Sequence, residues 1–457
     1  MKAFLRLLLW EARHLQRSGP AWLVCGGLLA ASLLATWAGG RNLARHRGEV
    51  AALAAQYATQ METITREFSP QGEAGYVAYY TFIPTHWPMS PLAALTTGVR
   101  DVVPSVIWVR MLGLEGQLYE ADLGNPALQA LGGLDLAFVF CALAPLALLV
   151  LGHDAFTRDR DLGRFTLVAA QAGGLGRLLA ARIGARALLV VGTVTLAFAG
   201  ACAWLHVSPD GRAARWLLAV WAYLACWTSL AACIAVVARS VAGSLALALT
   251  TWVASVILVP ALLNLALTAA FPVPEGLALT VHQRQESHAA WDRPRAETME
   301  KFFVHHPEWA GTPPVEGRFA WRWYYAMQEM GDQSVAAQSQ AYRHNLRSRQ
   351  AVMTRLAWLA PVAYAQLALS ARAGTDLDAH LDYLDRVRAF HGELRRRFYP
   401  LFFAEASITP AQFDLFPPFP AEPPAAAAPS GPSLWPLLAI GALAFGATRL
   451  LLRRRFL

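Results

Sequence analysis

Six separated apolar stretches constrain this chain more than any other feature of its sequence. A helix needs about 20 mostly apolar residues to cross the hydrocarbon layer of a bilayer, and such stretches run over residues 20–38, 134–151, 187–206, 216–238, 243–271 and 434–452. Trp22, Trp37, Trp204, Trp216 and Trp435 lie at or near their ends, where amphipathic rings sit at headgroup level. At 56% hydrophobic residues the chain is too apolar for an ordinary globular protein and too interrupted to be membrane throughout. The expected fold is an all-α polytopic membrane protein of six transmembrane helices, with two large, mainly helical segments, 39–133 and 272–433, on the outer side.

Lys and Arg resist translocation, so their distribution in short flanking loops orients the bundle. With the N-terminus inside, residues 1–19, 152–186, Arg239 and 449–457 carry fifteen basic residues against four acids, Glu11, Asp154, Asp159 and Asp161. The net charge of +8 then divides into +11 inside and −3 outside. Basicity reports topology, which argues against a nucleic-acid partner. Arg41, Arg45 and Arg47 run against the rule, but the long segment they open weakens their topological weight. Residues 4–15 alternate basic and apolar groups and read as an interfacial helix entering the first span rather than a cleaved leader. Residues 453–457 form a basic tail on the same side.

All five cysteines, Cys25, Cys141, Cys202, Cys226 and Cys233, fall within the apolar stretches. The large segments therefore hold no disulfides and must fold by helix packing. Residues 42–68 have helical composition and should continue the first span outward. Residues 70–126, broken by Pro84, Pro88, Pro91 and Pro104, should be irregular and packed on the membrane surface or the other large segment. Residues 318–373 and 376–403 read as long helices standing outside the bilayer, and the Pro/Ala-rich 416–433 as an extended linker. A tight turn around Arg239 and Ser240 makes the fourth and fifth spans antiparallel neighbours.

A phosphate-cradling loop ends in Lys followed by Ser or Thr after a Gly-rich turn. The only lysines, Lys2 and Lys301, do not follow one, so energy from ATP would have to arrive from another polypeptide. The inner segment 152–186 is where it would arrive. Thr157-Arg158-Asp159-Arg160-Asp161-Leu162-Gly163-Arg164-Phe165 combines alternating charge, a glycine and an apolar run. A short surface helix there would present charge to a partner and its apolar side to the bundle, with Gly163 letting the chain turn.

This arrangement resembles the coupling segment of type-2 ABC exporter permeases, whose second inside segment carries acid-Arg-acid-x-Gly-Thr-Leu. Asp159, Arg160, Asp161 and Gly163 match, whereas Arg164 and Phe165 replace the usual Thr and Leu. Glu11-Ala12-Arg13, SPLAALTTGVRDVVPS (90–105) and the run 125–151 are similar to a branch with two big outside segments and an uncharacterised domain, linked to multi-copper enzyme maturation. The resemblance implies a permease subunit of the bacterial inner membrane, dimeric with an identical or different permease. It also implies ATPase-coupling residues Arg158, Asp159, Arg160, Asp161, Gly163 and Arg164, with Glu11 and Arg13 on the interfacial helix. No cofactor is expected on the chain itself; ATP and Mg would be used by the partner ATPase.

Because that branch is linked to copper enzymes, His282, His288, His305 and His306 are candidate metal ligands. No Cys or Met-rich run accompanies them, and a structural role is the plainer reading. The spans carry few polar interruptions, Asp135 at an edge and Asn264, so an ion- or proton-coupled carrier is disfavoured. Pro145 and Pro260 should kink their helices. The alternative to a permease is a membrane-anchored assembly or scaffold protein that holds a periplasmic client with its outer helices.

Overall fold

Each apolar stretch lies in a helix long and apolar enough to cross a membrane, in a computed structural model that describes residues 2–68, 73–119, 133–171, 174–408, 416–420 and 431–456. Helix α1 (Lys2–Gln16) has the expected amphipathic character and passes through Arg17 and Ser18 into α2 (Gly19–Phe68). At 50 residues and 1.5 Å per residue, α2 is about 75 Å long, more than twice the ~30 Å hydrocarbon layer. Its second half therefore stands in the first large segment, as its composition implies.

That segment continues with α3 (Ala74–Tyr80), the antiparallel strands β1 (Ile83–His86) and β2 (Val106–Val109), and α4 (Leu114–Leu118). The sheet is small and was not expected. Its β-branched residues Ile83, Thr85, Val106, Ile107 and Val109 favour extended backbone, and Ile83 and Val109 pair directly. The second span starts with a helical turn at Leu136–Phe138, passes a π-turn at Val139–Leu143 and continues as α5 (Ala144–Gly152). A hairpin of α6 (Thr157–Asp161) and α7 (Phe165–Gln171) follows, then α8 (Leu175–Trp204) and α9 (Gly211–Val237) as third and fourth spans. The fifth span is α10 (Val241–Val253), a second π-turn at Ala254–Leu258 and α11 (Val259–Ala270). The second large segment holds α12 (Glu275–Asp292), α13 (Arg295–His305), α14 (Trp321–Leu356), α15 (Pro361–Ala373) and α16 (Leu377–Phe403); the sixth span is α17 (Trp435–Phe456).

Both π-turns immediately precede a proline, Pro145 and Pro260. A proline ring has no N–H and collides with the carbonyl four residues back, and a widened turn relieves that collision. In the second span two carbonyls of the widened turn accept from donors on other spans. Tyr223 on α9 donates its hydroxyl to Cys141 O, and the Trp252 indole N–H donates to Ala142 O at 2.7 Å. A polar group freed in a bilayer must be satisfied by a neighbouring helix, so Pro145, Tyr223 and Trp252 form one structural unit.

Two apolar cores organise the molecule. One lies among the spans; the other joins the two large segments through Trp323, Tyr325, Tyr383, Phe398 and Phe402. Within the bundle the second span is central, with 72% of its most apolar window buried, while the fifth is peripheral with 6%. Leu7 of α1, Phe156 and Phe165 of the hairpin, and Leu451 and Leu452 of α17 share a small cluster. Both chain ends therefore meet the hairpin on one face, the terminal face, and the large segments occupy the opposite, domain face.

Three expectations change. Helix α15 does not stand apart from the spans: Val362, Tyr364, Ala365 and Leu369 belong to the same core as Phe140, Trp216 and Trp227. It packs against α9 and both π-turns. The linker after α16 is not extended at its start, since Phe416 and Phe419 are buried against Phe398, Tyr383 and Phe390. The helix that carries the third apolar stretch begins at Leu175, twelve residues before that stretch, which places Arg182 and Arg186 inside a helix rather than a loop. The stretch 90–97 closes the domain end beside α15, Ser90 donating to Ala373 O at 2.8 Å. Gly39 of α2 allows this closure, because a Cβ there would lie 1.9 Å from Ala94 O. Of the remaining sequence readings, 69–72, 120–132 and 421–430 lie outside the described residues.

Candidate functional site

The hairpin at the terminal face is built by a helix and its stop signal. Helix α6 ends on Gly163 at φ +66°. The Gly163 N–H donates to Arg160 O at 2.9 Å and the Arg164 N–H to Asp159 O at 3.0 Å. This pair of bonds closes a helix on a left-handed residue, which glycine adopts without strain. The order Asp-Arg-Asp-Leu-Gly is thus the last turn of a helix and its cap.

The acid-Arg-acid side chains turn inward rather than out. Asp159 accepts from Arg182 Nη1 at 2.6 Å and from Arg164 Nε at 2.7 Å. Arg182 also donates Nε–H to Glu11 of α1 at 3.0 Å, and Arg186 lies 3.6 Å from the other Glu11 oxygen and 3.4 Å from Asp154. Arg160 donates to Ala238 O, just past α9, at 2.8 Å, and Asp161 accepts the Val241 N–H at the start of α10 at 3.0 Å. Glu11 and Asp159 side chains are each only 4% exposed. Removing one member of such a buried group costs about 3–5 kcal/mol, because its partner is left charged and unpaired. The hairpin is consequently fixed to α1, α8 and the turn between the fourth and fifth spans.

The outward surface is different. Arg158 and Arg164 remain more than half exposed, Leu162 and Leu167 are exposed by 58% and 61%, and α7 has no buried residue. Arg13 is also exposed, so of the two α1 residues only Glu11 joins the cluster. Arg182 and Arg186 were read from sequence only as topological charge. Their spacing of four, leading into an apolar run, was the signal that both project from one helix face.

A second charged cluster lies in the domain-face core. Glu329 of α14 accepts from His306 Nε2 at 3.0 Å and from the Tyr399 hydroxyl. Asp332, one turn on, accepts from Arg395 Nη2 at 2.6 Å and from the backbone N–H groups of Leu114 and Glu115 at 2.8 and 3.0 Å. It thereby caps α4 and ties the first large segment to α14 and α16. A cavity of about 300 Å³ opens beside it, lined by His306, Trp309, Glu329, Arg395, Arg396 and Tyr399 among others. Burial opposes protonation of His306, but hydrogen bonds to Glu329 and Glu308 outweigh it and raise its pKa above the usual histidine value. Burial likewise opposes ionisation of Glu329, and the Arg395 charge and the bonds from His306 and Tyr399 overcome it.

The four histidines do not converge. His282 meets Gln338 at 3.0 Å, whereas His306 lies between Glu308 and Glu329. Among the described residues no group of three or more His, Cys, Asp or Glu is placed to hold a metal ion.

Residues 278–422 match the family model of a domain of unknown function, DUF3526. The match covers most of the second large segment, including α15 and the cavity. No curated protein and no solved structure matches the chain.

Proposed function

We propose that this chain is the membrane subunit of an ATP-driven exporter of the type-2 ABC permease kind, driven through the α6–α7 hairpin by a separate cytoplasmic ATPase. In this reading the terminal face is cytoplasmic, in accord with its basic excess, and the membrane is the bacterial inner membrane. The permease acts as a dimer with a like or related subunit, and ATP and Mg are used on the partner.

The observation that carries the reading is the contrast between the two sides of the hairpin. Its outer side offers Arg158, Leu162, Gly163, Arg164 and Leu167, a mixed apolar and basic surface of the kind a soluble partner covers. Its inner side is held by a buried ion pair to Arg182 of α8, which in turn pairs with Glu11 of α1, and by backbone contacts at the α9–α10 turn. A displacement of the hairpin must therefore move those elements together, the rigid-body transmission that a nucleotide-driven switch requires. Asp159, Arg160 and Asp161 serve as transmission residues, and the exposed set serves as the docking residues.

The test is isolation of the full chain from its native membrane in mild detergent, followed by ATP hydrolysis measured on the isolate. The wild type should bring down a P-loop ATPase. The double variant Leu162→Glu/Leu167→Glu should lose it, whereas Asp159→Asn should retain it with reduced coupling of hydrolysis to the permease. Recovery of no ATPase with the wild type, or full recovery with the double variant, refutes the proposal.

A further inference from the structure

The end of α14 runs alongside α11 in the opposite direction. Arg349 donates to Asn264 at 3.2 Å and to Thr268 at 2.6 Å. The chain then continues for two more turns, about 10 Å, to a short 3-10 turn at Ala357–Leu359 that touches α11 and α17. Within this turn Ala357 is fully buried in the bundle core, but Leu356, Trp358 and Leu359 are exposed by 36%, 49% and 47%.

The depth of this turn follows from the fifth span. From Val241 to Ala270 it has 30 residues, about 45 Å against a hydrocarbon thickness of about 30 Å, so roughly its last ten residues stand beyond the layer. Asn264 and Thr268, which hold Arg349, belong to that projecting part. The turn, lying nearer the bilayer centre than Arg349, falls at the boundary itself. Trp435, which opens the sixth span and is exposed, marks the same level, since α17 touches the turn. The exposed side chains continue the apolar surface of the fifth span at Ile257, Leu258 and Leu262. Arg355, exposed two residues before the turn, has no ion-pair partner among the described residues and stands on the polar side of Trp358.

We propose that Leu356, Trp358 and Leu359 insert into the adjoining bilayer leaflet, with Arg355 meeting lipid phosphate, so that the DUF3526 segment is anchored to the membrane from within as well as by its two flanking spans. An arginine in the headgroup layer with a tryptophan just beneath it is the order that interfacial anchors adopt. The re-entrant α15 then follows directly: Pro361 starts a helix that packs back among the spans. The large segment rides on the bilayer and cannot swing away from it. This inference needs no assumption about transport.

The test uses the full chain in phosphatidylglycerol/phosphatidylethanolamine vesicles, with the five native cysteines replaced. Spin labels go on Trp358→Cys, on Leu359→Cys as a second site, and on Ala337→Cys as a solvent-exposed control on α14. Collision with dissolved oxygen is compared with collision with a water-soluble nickel chelate. At 358 and 359 the oxygen preference should dominate, and at 337 it should reverse in sign. A chelate preference at both 358 and 359 overturns the proposal by placing the turn in water. An immobilised label shielded from both reagents also overturns it, by assigning the surface to a second protein copy.

Discussion

Substituting Asp332 by alanine should release α4 while leaving most of the domain core intact. The carboxylate is the shared acceptor for Arg395 and for the first N–H groups of α4. Leaving a buried arginine half-neutralised costs about 3–5 kcal/mol. The lower end applies, because Glu329 remains 3.9 Å from Arg395. The uncapped amides of a five-residue helix that cannot persist alone add about 1 kcal/mol. The arginine term weighs equally on the closed and open forms of α4, so only the amide term acts on its opening, and about 1 kcal/mol raises the open population of α4 about fivefold. Hydrogen exchange read on peptides spanning 110–119 in the full-length protein should accelerate by that order. Peptides from the third span around Val194, which is buried in the separate bundle core, should change far less. Asp332→Asn, which keeps an oxygen for the two amides but loses the charge, should fall between. Exchange at 114–118 within threefold of wild type would show that α4 is held elsewhere, and would refute the view that one carboxylate joins the two large segments.

Other substitutions probe separate parts of the same reasoning. Gly39→Val should lower the thermal midpoint in detergent, equivalent to at least about 2 kcal/mol of overpacking, because its Cβ meets Ala94 O. Gly48→Ala on the same helix has nothing within 4 Å and should raise it through helix propensity; equal effects would remove the close-approach argument. Tyr223→Phe should destabilise by about 1 kcal/mol by leaving Cys141 O without its donor, and an unchanged midpoint would separate the π-turn from the fourth span. His306 carries a raised pKa, so the stability it contributes as a cation is fully present below about 6.5 and is lost as pH rises through its folded value. The midpoint gap between wild type and His306→Gln should therefore be widest below pH 6.5 and shrink by about pH 9. Glu308, Glu329 and Arg395, the charged groups around His306, keep their charge across that window; a gap that widens toward alkaline pH would overturn the assignment.

The six helices could be read from sequence because a bilayer imposes one strong rule, a long apolar run with internally bonded backbone. The 50-residue α2 was legible for the opposite reason: residues 49–68 offer no breaker, so helix continues once it has started. What the sequence concealed were placements fixed by distant partners. Residues 361–373 look like an ordinary amphipathic stretch of a water-exposed segment, and only the neighbours supplied by α9 and the π-turns make them part of the bundle. The strands β1 and β2 are four residues each, below the length at which alternation can be told from chance. Asp159, Arg160 and Asp161 were picked out by their pattern, but a pattern does not say which way a side chain turns. Glu11 and Arg182 stand 171 positions apart, so their pairing could not be read from either one's surroundings.

Under the proposed function the second span is the element that links the two ends of the molecule, since it makes contacts at both. At the terminal face it runs into the hairpin, where Asp154 and Asp159 reach Arg186 and Arg182. At the domain face Ala137 donates to Leu95 O at 3.0 Å, and the Asp135 carboxylate accepts the Thr97 N–H at 2.7 Å. The same end meets α15, and Thr375 just beyond that helix accepts the Val99 N–H at 2.9 Å. A rigid rod through the bundle centre would carry any tilt of the hairpin straight to the closing stretch 90–97. The rod is not uniform, because it contains the π-turn before Pro145, whose Cys141 and Ala142 carbonyls accept from Tyr223 and Trp252. Those bonds belong to the fourth and fifth spans, whose connecting turn is itself held by Arg160 and Asp161. The hairpin thus contacts both the end of the central helix and the turn joining the two spans that donate to its π-turn, so under the proposed function a load on the hairpin would reach that π-turn by two routes.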